Sequence, residues 1–188
     1  MNINFENEND KLFFREGKIT YLRPLLKSDI RPEYLAWLNN PYLNKYSSHF
    51  RTWPTTEIDL KEFYEHTKSS THVVFAICCK KTGIHFGNCS LDGIDWINRV
   101  AQFNVNIGVK KFRGLHFIDV LKIVMDYAFN TLNLHKLTGG AEIPGILALH
   151  ERMGWKKEGV LQKHLFREGE YVDLVLFSIL EEDFRKVK

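Results

Sequence analysis

The sequence predicts an α/β domain of the α+β kind, with helices packed on a mixed, mostly antiparallel sheet. Three observations carry this. Across residues 73–109 apolar residues recur at a period of about two, interrupted by turn residues at Lys81-Thr82-Gly83 and around Asp95 to Asn98, the pattern of an antiparallel meander. Over residues 117–132 the period turns helical, with Ile118, Leu121, Met125, Ala128 and Leu132 on one face. Strand patterns then return, and a chain of 188 residues holds one sizeable core and not two.

The elements follow in order. Residues 1–17 are polar and read as a loose arm or a first irregular strand, ahead of a single domain over 18–188. Residues 19–25, ITYLRPL, alternate and form a strand closed by Pro24. Ser28 and Asp29 offer an N-cap, and Tyr34, Leu35, Trp37 and Leu38 make an apolar stripe at helical spacing. Asn39-Asn40-Pro41 ends that helix. Residues 42–56 read as a long polar and aromatic loop, and Thr56 opens a second helix over 57–67. Strands are expected over 73–79, 87–94 and 99–109, then the helix over 117–132. A strand over 136–141, a helix over 146–152 ended by Gly154, and a hairpin of 157–165 with 171–180 complete the chain.

Composition excludes several classes. A net charge of +3 is too weak to argue for a nucleic-acid partner. No apolar run is long enough to cross a membrane, and the N-terminus lacks the basic and apolar regions of a signal peptide. Cys78, Cys79 and Cys89 fit neither a disulfide framework nor a metal spacing; they read as buried thiols of a cytoplasmic protein without a metal site.

Six segments, taken in order, resemble the GNAT superfamily of acetyl-coenzyme A-dependent N-acetyltransferases. They are ITYLRPLLKSDI, EYLAWLNNPYLNKY, FAICCKKTGIHFGNCSLDGIDWINRVAQF, DYAFNTLNLHKL, HERMGWKKEGVL and FREGEYVDLVLFSIL, which together span roughly residues 18–180. Within the superfamily they look like the branch of ribosomal-protein alanine and amino-sugar acetyltransferases. The resemblance implies a twisted sheet that splays near the cofactor site, acetyl-CoA as co-substrate, and an open strand edge for the pantetheine amides.

In that family a loop of the form Q/R-x-x-G-x-G/A presents backbone N–H groups to the pyrophosphate at the head of the central helix. Here the loop is glycine-poor: Lys110-Lys111-Phe112-Arg113-Gly114-Leu115-His116-Phe117-Ile118. Counted from Lys111, Gly114 fills the first glycine place and His116 the second small-residue place; counted from Arg113, His116 and Ile118 fill both. The resemblance places cofactor contacts at Asn106, Ile107, Gly108 and Val109 on the strand. It places further contacts at Lys111, Arg113, Gly114, Leu115, His116 and Phe117 in the loop and first helical turn. A backbone N–H around Ile107 or Gly108 would face the oxyanion.

Three more positions depart from the family. Gln102 stands where relatives often carry an acidic general base, and an amide cannot take a proton from an ammonium group. Ile143 stands where relatives usually carry Asn. His150 matches the Tyr that protonates the leaving thiolate, and an imidazole can take that role. The base would then be a water chain, Asp95, Asp173 or His49. The acceptor side, formed by the first two helices and their connection, would hold Trp37, Asn39, Tyr46, His49, Arg51 and Asp95. Aromatic faces with amides suit a sugar, and Arg51 suits a nucleotide phosphate. The expected activity is transfer of an acyl group from acetyl-CoA to a small amine, with an amino-sugar nucleotide preferred. A protein N-terminus is an alternative acceptor, a GNAT-fold binding module without turnover is an alternative role, and a homodimer is an expected assembly.

Overall fold

The computed structural model describes residues 13–45, 53–67 and 69–187. Eight strands form one sheet in the order β1-β2-β3-β4-β5-β6-β8-β7. The strands are β1 (Arg15–Glu16), β2 (Thr20–Pro24), β3 (His72–Cys79), β4 (His85–Asp95), β5 (Val100–Ile107), β6 (Lys136–Ala141), β7 (Lys156–Arg167) and β8 (Glu170–Leu180). The helices are α1 (Pro32–Leu38), α2 (Pro41–Asn44), α3 (Glu57–Glu65), α4 (Leu115–Asn130), α5 (Pro144–Arg152) and α6 (Glu181–Val187).

The two sheet faces bury different clusters, as the period-two pattern requires. On one face Phe75, Ile77 and Cys79 of β3 and Ala101, Phe103 and Ile107 of β5 pack with α4 residues Val120, Leu121, Val124 and Met125. On the other, Ala76 and Cys78 meet Tyr34 and Leu38 of α1 and Leu60 of α3. Adjacent Cys78 and Cys79 thus enter opposite cores, and the three thiols are free and buried.

Among the described residues only β5 and β6 run parallel, and their pairing is short. It joins Val100, Ala101 and Gln102 to Lys136, Leu137 and Thr138. β5 continues to Ile107 and β6 to Ala141, so the strands part beyond this point into an open V. The expected splay is present.

Two buried acids fix the two ends of β2. Asp119, on α4, accepts the N–H groups of Lys18, Ile19 and Thr20, each at 2.9 Å. Asp29 holds Arg23 through two bonds of 2.6 and 2.7 Å and accepts the Leu26 N–H at 2.8 Å.

Local differences from the sequence reading have physical causes. Part of the expected arm belongs to the domain: β1 pairs with β2, and Phe14 stacks on Phe75 at 5.2 Å. Pro41 ends α1 but also opens α2, whose N-cap is the Asn40 side chain. α4 starts at Leu115, two residues earlier than expected, because Gly114 serves as its N-cap. α6 was not anticipated; its seven residues are too few for a periodic signal, yet Phe184 packs on Phe129 at 5.2 Å.

Candidate active site

The V exposes part of the edge of β5. Gly108 and Val109 both donate their N–H groups to Phe86 O, at 3.0 and 3.3 Å. An antiparallel ladder alternates, so the N–H and C=O of Ile107, and those of Val105 before it, turn to the opposite edge. β6 has left that edge beyond Gln102. Arg113 confirms the direction by donating from Nη2 to Ile107 O at 3.4 Å.

The four strand residues expected at the cofactor therefore divide. Ile107 presents a backbone N–H to the V. Gly108 and Val109 do not, since their N–H groups are bound by Phe86 O; of the two N–H groups expected to face an oxyanion, that of Ile107 is the one directed to the V. Asn106 lies in register with Asn88 on the hydrogen-bonded phase of the ladder, so its N–H faces β4. Val105, two residues before Ile107 on the same edge and in register with Cys89, shares this orientation although the sequence reading did not name it.

The glycine-poor loop is held by aromatic packing. Phe112 is buried and stacks on Phe86 at 4.4 Å, at the end of a short 3-10 turn over Lys110–Phe112. His116 completes this cluster, 4.9 Å from Phe112 and 5.3 Å from Phe86, so its ring is a packing element. Gly114 adopts φ 81°, the region open to glycine, and nothing lies within 4 Å of where its Cβ would stand. Behind it, Leu115, His116 and Phe117 begin a 16-residue helix, and the N–H groups of a first turn have no partner within their own helix. Lys110, Lys111 and Arg113 are exposed beside that positive helix end.

His150 sits on α5 with 3% of its surface exposed, enclosed by Phe117, Trp155 and Phe177 at 5.6, 5.0 and 4.3 Å. Nδ1 lies 2.8 Å from Ile146 O and donates to it, which leaves Nε2 buried with a lone pair and no partner. Burial lowers the ring's pKa and outweighs the opposing effect of the Ile146 carbonyl. The resting ring is therefore neutral and must gain a proton before it can donate one. A cavity of about 160 Å³, lined in part by Leu147, His150, Trp155 and Phe177, lies beside it.

The α1 and α3 side of the sheet carries Trp37, one of the residues expected at the acceptor. Trp37 covers Gly108: a Cβ on that glycine would stand 2.2 Å from the indole. The ring is also 5.6 Å from Tyr34 and 5.3 Å from His85. Asn39 and Asp95 are occupied locally. Asn39 clasps Thr55 through two 2.8 Å bonds, and Asp95 accepts Ile97 N–H, Asn98 N–H and the Asn98 amide at 2.9, 2.8 and 2.7 Å. Tyr46, His49 and Arg51 lie outside the described residues. Asp173 accepts the Lys163 N–H at 2.8 Å, within the β7–β8 hairpin.

This fold and site define an acyl-CoA-dependent transferase, and comparison with known proteins agrees. The family described as Acetyltransferase (GNAT) domain matches residues 20–154. The chain belongs to this family and is an N-acetyltransferase, with acetyl-CoA as the acetyl donor. It is 30% identical over 168 residues to the spermidine N(1)-acetyltransferase of Vibrio cholerae serotype O1, covering 87% of this chain and 94% of that protein. A crystal structure of spermidine N-acetyltransferase from Vibrio cholerae in complex with CoA and spermine aligns with a TM-score of 0.77 at 26% identity, covering 88% of this chain and 98% of that one. A dodecameric structure of the same enzyme aligns with a TM-score of 0.73 at 28% identity, over 88% and 95% of the two chains.

Proposed function

We propose that this protein acetylates a primary amine of a small, flexible polyamine, using acetyl-CoA. The observation that carries the transfer chemistry is the open edge at Ile107 directly preceding the head of α4. The residues present suit coenzyme A. The Gly114 turn leaves room for close approach to the helix N-terminus, and three exposed cations flank it. When bound, the thioester supplies an activated acetyl group.

The chain's own groups do the rest. The Ile107 N–H holds the carbonyl oxygen as it gains charge, at a donor already fixed by the sheet. Trp37 and Tyr34 bound one end of the acceptor face, where an alkyl chain can lie. Exposed Glu57, Asp59, Glu62 and Glu65 on α3 add negative charge on the same side of the sheet, which favours a polycation. A thiolate forming near His150 stabilises the imidazolium, so the ring can take up a proton and pass it on.

The relatives that act on spermidine support a polyamine over the amino-sugar nucleotide preferred from sequence. Of the side chains read as sugar contacts, Asn39 and Asp95 are already engaged by their own loops. We place the enzyme in the cytoplasm, in keeping with three free, buried thiols. We also place it in an oligomer, by analogy with the dodecameric relative. Thiol release from acetyl-CoA, followed with spermidine, an amino sugar and an alanyl peptide as acceptors, tests the reading. The polyamine should be acetylated at least about tenfold faster than the others, a difference of about 1.4 kcal/mol in transition-state binding. Faster turnover of the sugar or the peptide overturns it.

A further inference from the structure

One row of side chains crosses four strands of the sheet: His72 on β3, Asp92 on β4, Gln102 on β5 and Thr138 on β6 are successive register partners. The row sits where β5 and β6 part. On β5 its member is the amide Gln102, whereas β4 supplies a carboxylate. Asp92 Oδ1 contacts His72 Nδ1. Its Oδ2 accepts Ser90 Oγ at 2.7 Å and Asn104 Nδ2 at 2.6 Å, and Gln102 Nε2 donates to Asn104 Oδ1 at 3.3 Å. The network thus runs from Gln102 across to the Asp92–His72 pair.

Resting on the acetyl-transfer reading, we propose that Asp92 and His72 form the proton acceptor for the incoming amine, in place of the carboxylate that Gln102 lacks. A proton on Nδ1 faces the carboxylate, which leaves Nε2 to carry the lone pair that can accept a proton. Among the described residues no hydrogen bond reaches that nitrogen, the ring's contact being the one at Nδ1. Both side chains keep solvent contact, at 28% and 30% exposure, so a proton can leave. A buried structural tie would have neither the free nitrogen nor the access. Ser90 and Asn104 hold the second carboxylate oxygen, which fixes the direction of the first.

The protons balance as follows. The ammonium gives its first proton to His72 Nε2, directly or through one water, and the dyad releases it to solvent. The neutral amine attacks, the C–N bond forms and the C–S bond breaks. The second proton, shed by the new amide nitrogen, ends on sulfur as the thiol.

Three variants of the intact enzyme and one spectroscopic reading test this. Asp92→Asn and His72→Gln should each lower kcat by about 10²-fold with a near-constant KM for acetyl-CoA. Adding Gln102→Glu to Asp92→Asn should recover at least about tenfold, because a carboxylate returns to the neighbouring place in the same row. Independently of turnover, ¹⁵N NMR should show His72 with its proton on Nδ1 in the wild type and without that preference in Asp92→Asn. Full activity of Asp92→Asn, no recovery with Gln102→Glu, or a wild-type ring protonated on Nε2 overturns the dyad. A wild type that acetylates no amine overturns the functional reading instead, and the NMR result still decides the pairing.

Discussion

Gln102 and Thr138 are the last register partners that join β5 to β6, and the V that opens beyond them is where we place acetyl transfer. Its edge N–H at Ile107, its cationic helix end at Arg113 and Gly114, and the covered Gly108 all lie within a dozen residues of this junction. Each of these can be disturbed separately.

Arg113 and His116 occupy the same loop but do different work. Arg113 is exposed and reaches Ile107 O, whereas His116 is packed between Phe86 and Phe112. Arg113→Ala should raise the KM for acetyl-CoA about tenfold, the loss of one charge-assisted contact. His116→Phe, which keeps the aromatic cluster, should leave that KM unchanged. Equal effects of the two would mean that His116 touches phosphate after all.

Gly108 and Trp37 couple α1 to the end of β5. A methyl at residue 108 would meet the indole at 2.2 Å, so Gly108→Ala must displace Trp37 or the strand. The expected loss is about 2 kcal/mol in urea unfolding, within the range for overpacking. Trp37→Ala removes the clash, and the double variant should be less destabilised than the sum of the singles. Strict additivity would show that the two do not touch in solution.

Much of this arrangement was readable from the chain. The meander, the central helix and the final hairpin were marked by clean changes of period, and the splay followed from the family resemblance. The active-site details were less readable, because they depend on ladder phase and cross-strand neighbours. Nothing in the local sequence tells which of Ile107 and Gly108 turns its N–H to the V; Phe86, more than 20 residues away, decides it. Likewise Asp92 meets His72 and Asn104 only through register, so the sequence pointed to Asp95 instead, whose carboxylate caps its own turn. His150 was placed correctly on a helix, but its burial among three aromatic rings comes from Phe117 on α4, Phe177 on β8 and Trp155 just ahead of β7.

Asp29 makes the fold sensitive to acid. Burial alone would raise its pKa; the Arg23 guanidinium, His85 and the Leu26 N–H together hold it well below the usual carboxylate range. A depressed carboxylate contributes stability that is present above its unfolded value, about 3.9, and is lost as pH falls through the folded one. Wild-type stability should therefore drop as pH falls below about 4. Asp29→Asn should lose about 3 kcal/mol at pH 7, because Arg23 is left buried without its partner. Its remaining stability should change less over that acid window, as followed by denaturant midpoints across pH.

His150 supplies a second pH window, with a different origin. Its pKa is lowered by burial, so the folded state prefers the neutral ring. The unfolded chain, titrating near 6.5, then binds more protons just below that pH, and stability is full above about 6.5 and lost as pH falls toward the folded value. His150→Phe removes this titration and the unpartnered Nε2 together, so its stability should fall less than the wild type's as pH drops below about 6.5. The same variant separates packing from chemistry. If the ring protonates the thiolate, kcat should fall by about 10²-fold with acetyl-CoA affinity retained; unchanged kcat would leave His150 a packing residue only. His150→Tyr supplies a phenol at the same helical position, and it should restore turnover if a proton donor is what the site requires there.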